Sequence, residues 1–180
     1  MLAEANTEIT QDDLTQIVAS VFETMLGLAV LPVSSSDTAV FGIAAEPREA
    51  GTLTSAVRFA GDWEAVVLLE CGARQARCFA ERYLGVGGIG CEPVIAVASE
   101  PSIEADVDLV VPDVMGELVN MIGGNLKSVL NCGLQLSVPV FLAPGAEGQF
   151  GGYSVWHRLG FRCPEGPFSV VVLRPDVHGH

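Results

Sequence analysis

The hydrophobic positions of this chain fall into three stretches of helical spacing, separated by short runs with strand character. Between Ile9 and Leu28, apolar residues stand at Leu14, Ile17, Val18, Val21, Phe22, Met25 and Leu26. Steps of three and four put them on one helix face; Thr10 is placed to cap the start ahead of Gln11-Asp12-Asp13, and Gly27 and Pro32 end the run. A turn through Ser34-Ser35-Ser36-Asp37 follows. Ala39–Ala45, Thr52–Phe59 and Glu64–Glu70 then read as strands, the last two joined by an Ala60-Gly61-Asp62 hairpin turn. Ala73–Leu84 returns to helical spacing through Ala76, Phe79, Ala80 and Tyr83, and the glycines from Gly85 to Gly90 break it. Pro93–Ser99 reads as a strand and Pro101–Asp108 as an acidic loop. Pro112 opens a second long helix running to about Cys132, because the first helical position has no intrahelical use for an N–H. Asn131-Cys132-Gly133 supplies its stop. Gln135–Leu142, Gly152–Cys163 and Pro167–Arg174 are three further strands, and residues 1–9 and 175–180 read as loose termini. This order predicts an α+β fold in a single domain spanning residues 1–180. Its core is a largely antiparallel β-sheet with two long helices packed on one face.

Composition narrows the classes. With 180 residues and 49% apolar content the chain can bury a core. No apolar run reaches the roughly 18 residues of a membrane span. The start, MLAEANTEITQDD, lacks the basic and apolar segments of a secretory signal. A net charge of −13 disfavours nucleic acid and anionic membrane surfaces. It also repels an acidic protein partner at long range, so a complex with one must rest on local complementarity. The five cysteines, Cys71, Cys78, Cys91, Cys132 and Cys163, form no CxxC pair. An odd count without a leader predicts reduced thiols in a cytoplasm, serving as small buried hydrophobes.

The helix containing DVMGELVNMIGGN, Asp113 to Asn125, raises its own question, since each interior glycine costs about 1 kcal/mol relative to alanine. At about 100° per residue, Asp113, Glu117, Asn120, Gly124, Ser128 and Asn131 share one stripe. Val114, Met115, Leu118, Val119, Met121, Ile122, Leu126, Val129 and Leu130 fill the broad opposite side. Gly116, Gly123 and Gly124 lie at or beside the polar stripe, where the missing Cβ lets another group approach closely. On pattern alone such a stripe is either a solvated face or a shallow docking surface, with Asp113, Gly116 and Gly124 available to a partner. Asn125 projects from the apolar side and reads as structural, a buried amide bonded to the backbone of a neighbouring loop.

Asp113-x3-Glu117-x2-Asn120 followed by Gly124-Asn125 resembles the signature of the CheC/CheX/FliY chemotaxis phosphatases, most closely the single-signature CheX form. Val21–Gly27 (VFETMLG), the Gly61-Asp62 turn and Leu136–Val140 (LSVPV) are also similar to that family, so the likeness runs from about residue 10 to 142. Val140 departs from the threonine usual there, and Arg174–His180 has no counterpart. The resemblance implies a CheC-like fold, a homodimer, and hydrolysis of the phosphoaspartate of a CheY-like response regulator. Glu117 would pair with the regulator's lysine, and Asn120 would orient the attacking water. It implies no cofactor of the protein's own, the Mg2+ belonging to the regulator. The alternative is a non-catalytic receiver-binding or flagellar adaptor of the same fold. Neither register of the first helix supplies a second Glu/Asn pair, so one site per chain is expected, with Glu23 a surface charge.

Other patterns carry less. Gly85-x-Gly87-x2-Gly90 matches a dinucleotide fingerprint as text, yet it follows a helix and does not open one. His157, His178 and His180 match no metal-site spacing, and His157 is expected to face solvent or a partner. No G-x-S-x-G elbow occurs, and Glu165 and Asp176 read as solvated turn residues. Val170-Val171-Val172-Leu173 is apolar on both faces, which at a sheet edge would favour pairing of copies.

Overall fold

The computed structural model describes residues 8–33, 51–86, 101–130, 132–142 and 150–176. The expected strands Ala39–Ala45 and Pro93–Ser99, the Ser34–Asp37 turn, Gly87 to Gly90 and the last two histidines lie outside them.

Helix α1 (Gln11–Leu26) starts on a complete capping box. Thr10 Oγ1 accepts from the Asp13 N–H at 3.1 Å, and the Asp13 carboxylate accepts from the Thr10 N–H at 3.0 Å. Two end donors that the helix cannot satisfy are thereby paired. The Thr10 hydroxyl, which also donates to the Asp13 carboxylate at 2.7 Å, and after it the Thr10 N–H hold the Asp13 carboxyl below its ordinary pKa. Gly27, left-handed at φ 62°, closes the helix by donating to Glu23. Chain ordering begins before the helix: Ile9 is buried, and its carbonyl lies 3.2 Å from His157 Nε2, which corrects the loose-terminus and solvent-facing readings of these residues.

Among the described residues, seven antiparallel strands follow in one sheet: β1 (Leu31–Val33), β2 (Thr52–Gly61), β3 (Ala65–Gly72), β4 (Leu134–Leu136), β5 (Val140–Leu142), β6 (Tyr153–Cys163) and β7 (Gly166–Pro175). The spatial order is β1-β6-β7-β3-β2-β4, with β5 also on β2. β1 was not foreseen; its Pro32 is tolerated because the strand stands at the end of the described sheet. The Val170–Leu173 run, a hazard only if left at an edge, is interior, with β7 between β3 and β6. Its two apolar faces have two separate uses. Val170 and Val172 enter the main core, while Val171 and Leu173 join Ala56, Val66, Leu68 and Leu142 on the other face.

Helix α2 (Ala73–Tyr83) and helix α3 (Pro101–Leu130) complete the layer on the main-core face together with α1. Phe22, Phe79, Phe161 and Phe168 pack between helices and sheet, Phe22 stacking on Phe168 at 4.4 Å. The expected acidic loop Pro101–Asp108 is helical, and Pro112 lies inside α3 rather than at its start. Pro112 leaves the Asp108 carbonyl without its intrahelical donor. The burial of Val107, Val111, Val114 and Met115 on both sides of it offsets that loss.

Gly61 and Asp62 tie the end of α3 to the β2–β3 hairpin. The Asp62 carboxylate accepts from the Gly133 N–H at 3.1 Å, and the Asp62 N–H donates to the Gly133 carbonyl. Gly61 adopts φ 129°, and a Cβ there would stand 2.2 Å from the Gly133 oxygen, so the approach requires glycine.

Among the described residues, Cys71, Cys132 and Cys163 are free. Cys78 is disulfide-bonded, which corrects the expectation that all five thiols are reduced. Burial pushes the Cys71 thiol up to about 12, with Cys163 nearby adding to it. Glu165, expected in solvent, is also corrected: its side chain is 1% exposed and pairs with Arg82. Glu70, buried on the other sheet face, accepts from Arg158 at 2.9 Å and Ser169 at 3.0 Å.

Candidate functional site

The site residues are positioned by the second half of α3. Val114, Met115, Leu118, Val119, Ile122, Leu126 and Leu130 are all buried against the sheet and the other helices. That apolar arc fixes the rotation of the helix and turns the opposite stripe outward. Asp113 is exposed there, and Glu117 and Asn120 are half-buried. Their i, i+3 spacing puts the carboxylate and the amide on one face, about 5–6 Å apart at Cβ. Among the described residues, neither side chain has a hydrogen-bond or ion-pair partner. A carboxylate and an amide without internal partners, side by side on a rigid helix, are free to engage groups brought by another molecule.

The three glycines do different things. A Cβ at Gly116 would stand 3.4 Å from Pro139 Cβ. At Gly123 it would stand 3.0 Å from Val57 Cγ1 and 3.2 Å from Leu136 Cδ1. These two let the segment before β5 lie close along α3, flanking Asn120, which is one turn from each. Among the described residues, nothing lies within 4 Å of a would-be Cβ at Gly124, which is the open part of the surface.

Asn125 differs from its expected place. It is exposed, and its Nδ2 donates to the Met121 carbonyl of its own helix at 2.8 Å. At about 100° per residue it stands between the angles of Val114 and Leu118, about 60° from Ile122 and farther from Leu126 and Leu130. Val114 and Leu118 are buried, but toward the end of α3 the buried side is set by Ile122, Leu126 and Leu130, and Asn125 falls outside it.

The expected strand Gln135–Leu142 is two strands with a break, a feature the sequence reading missed. β4 pairs Phe59 with Leu136, and β5 pairs Ala56 with Val140. Between those pairs β2 has two residues and the opposing segment has three, Ser137, Val138 and Pro139, so this is a one-residue bulge. Pro139 has no N–H for the ladder. Ser137 fills the gap: its Oγ accepts from the Arg58 N–H at 3.0 Å, and its N–H donates to the Arg58 carbonyl at 2.9 Å. The Ser-x-Pro pattern was visible, and proline's missing donor was the signal that could have split the strand.

An antiparallel sheet covered by three helices, with an outward Glu/Asn pair on the longest, defines a CheC-like α+β domain. The family profile of chemotaxis phosphatase CheX matches residues 53–147. The chain belongs to the CheX family. No match was found among curated proteins. Solved structures share the fold. The Borrelia burgdorferi CheX in a complex with CheY, BeF3 and Mg2+ has a TM-score of 0.62 at 15% identity, covering 91% of this chain and 95% of that one. CheX from Vibrio vulnificus has a TM-score of 0.58 at 16% identity, covering 90% and 96%. CheX from Desulfovibrio desulfuricans has 0.54 at 15%, covering 89% and 95%. No helix among the described residues is long and apolar enough to cross a membrane.

Proposed function

We propose that this chain hydrolyses the phosphoaspartate of a CheY-like receiver domain, with Glu117 docking the receiver's lysine and Asn120 orienting the attacking water. The observation that carries the reading is the outward, internally unpartnered Glu117/Asn120 pair on α3 in a chain of the CheX family. A relative of the same fold forms a complex with a CheY in the presence of BeF3 and Mg2+, which supports the partner class.

The chemistry asks little of the protein. An acyl phosphate is already reactive, so holding a water in line is the main task. The Asn120 carbonyl accepts from that water while its NH2 donates elsewhere. The amide is neutral and does not repel the phosphoryl oxygens as a carboxylate does. Glu117 supplies the one charge the interaction needs, aimed at a cation, and sets the depth to which Asn120 enters. Asp113 and Gly124 border the contact, while Gly116, expected there too, is buried against Pro139. The metal ion belongs to the receiver, and no covalent intermediate forms on this chain. A cytoplasmic setting and a homodimer belong to the same proposal, the latter measured by light scattering.

The test is loss of phosphate from a phosphorylated receiver domain of the same organism, followed with wild type, Asn120→Ala and Glu117→Ala. Asn120→Ala is expected to abolish acceleration and still bind; Glu117→Ala is expected to bind weakly. Binding by wild type without acceleration would favour the adaptor. Variants indistinguishable from wild type in both readouts would remove the site assignment.

A further inference from the structure

Of the large hydrophobic side chains left exposed among the described residues, Val138 is the most exposed, at 81%. Its position is not an accident of a floppy loop. The residue before it is bonded to both backbone groups of Arg58, and the Ser137 hydroxyl also donates to the Val138 carbonyl at 3.0 Å. The residue after it, Pro139, rests against Gly116, one residue before Glu117 and one turn before Asn120. A bulge fixed at both ends thus holds an exposed apolar side chain next in the chain to Pro139, which lies against α3 one residue before Glu117.

We infer that the Ser137-Val138-Pro139 bulge is a second contact for the receiver domain that meets α3, with Val138 setting affinity and not chemistry. The inference rests on the functional reading above. Two considerations choose the receiver as the occupant. The bulge adjoins the Glu117/Asn120 surface through the Pro139–Gly116 contact, so a molecule large enough to cover the pair meets Val138 as well. And the chain's charge of −13 gives no long-range attraction toward a site carrying a phosphoryl group, so affinity must come from local burial. A fixed apolar side chain supplies that burial without loss of loop entropy.

The experiment measures KM and kcat for dephosphorylation of a phosphorylated receiver domain, and direct binding of that receiver. Val138→Ala is expected to raise KM about tenfold with kcat unchanged, from the lost burial of its methyl groups. Val138→Asp is expected to raise it further, and Val138→Ile to match wild type. Val155→Ala, an exposed valine on β6, serves as control and leaves both constants unchanged. Val138 is at the surface, so melting temperatures of all variants stay at the wild-type value. If wild type is active and Asn120→Ala is not, yet Val138→Asp keeps the wild-type KM, the bulge inference falls and the site reading stands. If Asn120→Ala is as active as wild type, the site reading falls and takes this one with it.

Discussion

Gly124→Ala separates stability from function on one atom. Nothing among the described residues lies within 4 Å of the added Cβ, so the methyl group meets no resistance from them. Replacing a helix-interior glycine then stabilises by about 1 kcal/mol, chiefly by restricting the unfolded chain. For a domain of this size that raises the melting temperature by about 2–4 °C. The same methyl stands one turn beyond Asn120 on the outward stripe, under any partner that covers the pair. Its intrusion is expected to raise KM for a phosphorylated receiver by on the order of tenfold. Gly123→Ala is the counterpart. Its Cβ would stand 3.0 Å from Val57 Cγ1, and Val57 is 1% exposed and cannot move aside easily. Overpacking of this kind costs about 1–3 kcal/mol, which equals or exceeds the helix gain, so this variant melts at or below wild type. The assay is a thermal melt of each variant beside a dephosphorylation time course. A lower melting temperature for Gly124→Ala would refute the open geometry; a higher one with unchanged KM would remove Gly124 from the contact surface.

Other substitutions test the frame around the site. Gly61→Ala must place a Cβ where the Gly133 oxygen stands and hold φ 129°, so urea unfolding should show a loss of about 3 kcal/mol or more; a loss below about 1 kcal/mol would contradict the clamp. Thr10→Ala removes the cap of α1 and is expected to cost about 1 kcal/mol in the same measurement. Because Thr10 depresses the Asp13 pKa in the folded state, that carboxylate's contribution is present above its ordinary pKa. It fades as pH falls through the depressed one, and Thr10→Ala should flatten this part of the acid limb. Cys71, with its thiol pushed up to about 12 by burial, should resist iodoacetamide at pH 8 until the protein unfolds; prompt labelling of the native protein, read by mass spectrometry, would contradict that burial.

Amphipathic spacing made the helices legible. Leu14, Val18 and Phe22 in α1, and Leu118, Ile122 and Leu126 in α3, point into the core as their periods require. Thr10 and Gly27 marked the ends of α1 by local chemistry that tertiary structure did not override. The outward stripe of α3 followed from the same geometry, and Asp113, Glu117 and Asn120 stand on it. What escaped depends on neighbours distant in sequence. Val170–Leu173 looks like a hazardous edge until β3 and β6 are placed on either side of it. Pro112 reads as a helix start because local rules weigh the missing N–H, whereas the burial of Val107 and Val111 carries the helix through. Glu165 reads as solvated until Arg82, 83 positions away, meets it across the fold. Asn125 stands at an angle that is buried at Val114 and Leu118, and only packing decides how far along α3 that side stays covered.

The interrupted strand opposite β2 has a consequence for how copies of this chain behave in a crowded cell. Each outermost described strand carries a proline at or beside its ladder, Pro32 in β1 and Pro139 between β4 and β5. A foreign strand laid along either margin finds a missing donor there, and at the second margin a kink as well. Backbone templating, the route by which open sheets recruit one another into insoluble fibres, is therefore blunted on the side that also presents the Glu117/Asn120 surface. Recognition at that margin is left to side chains.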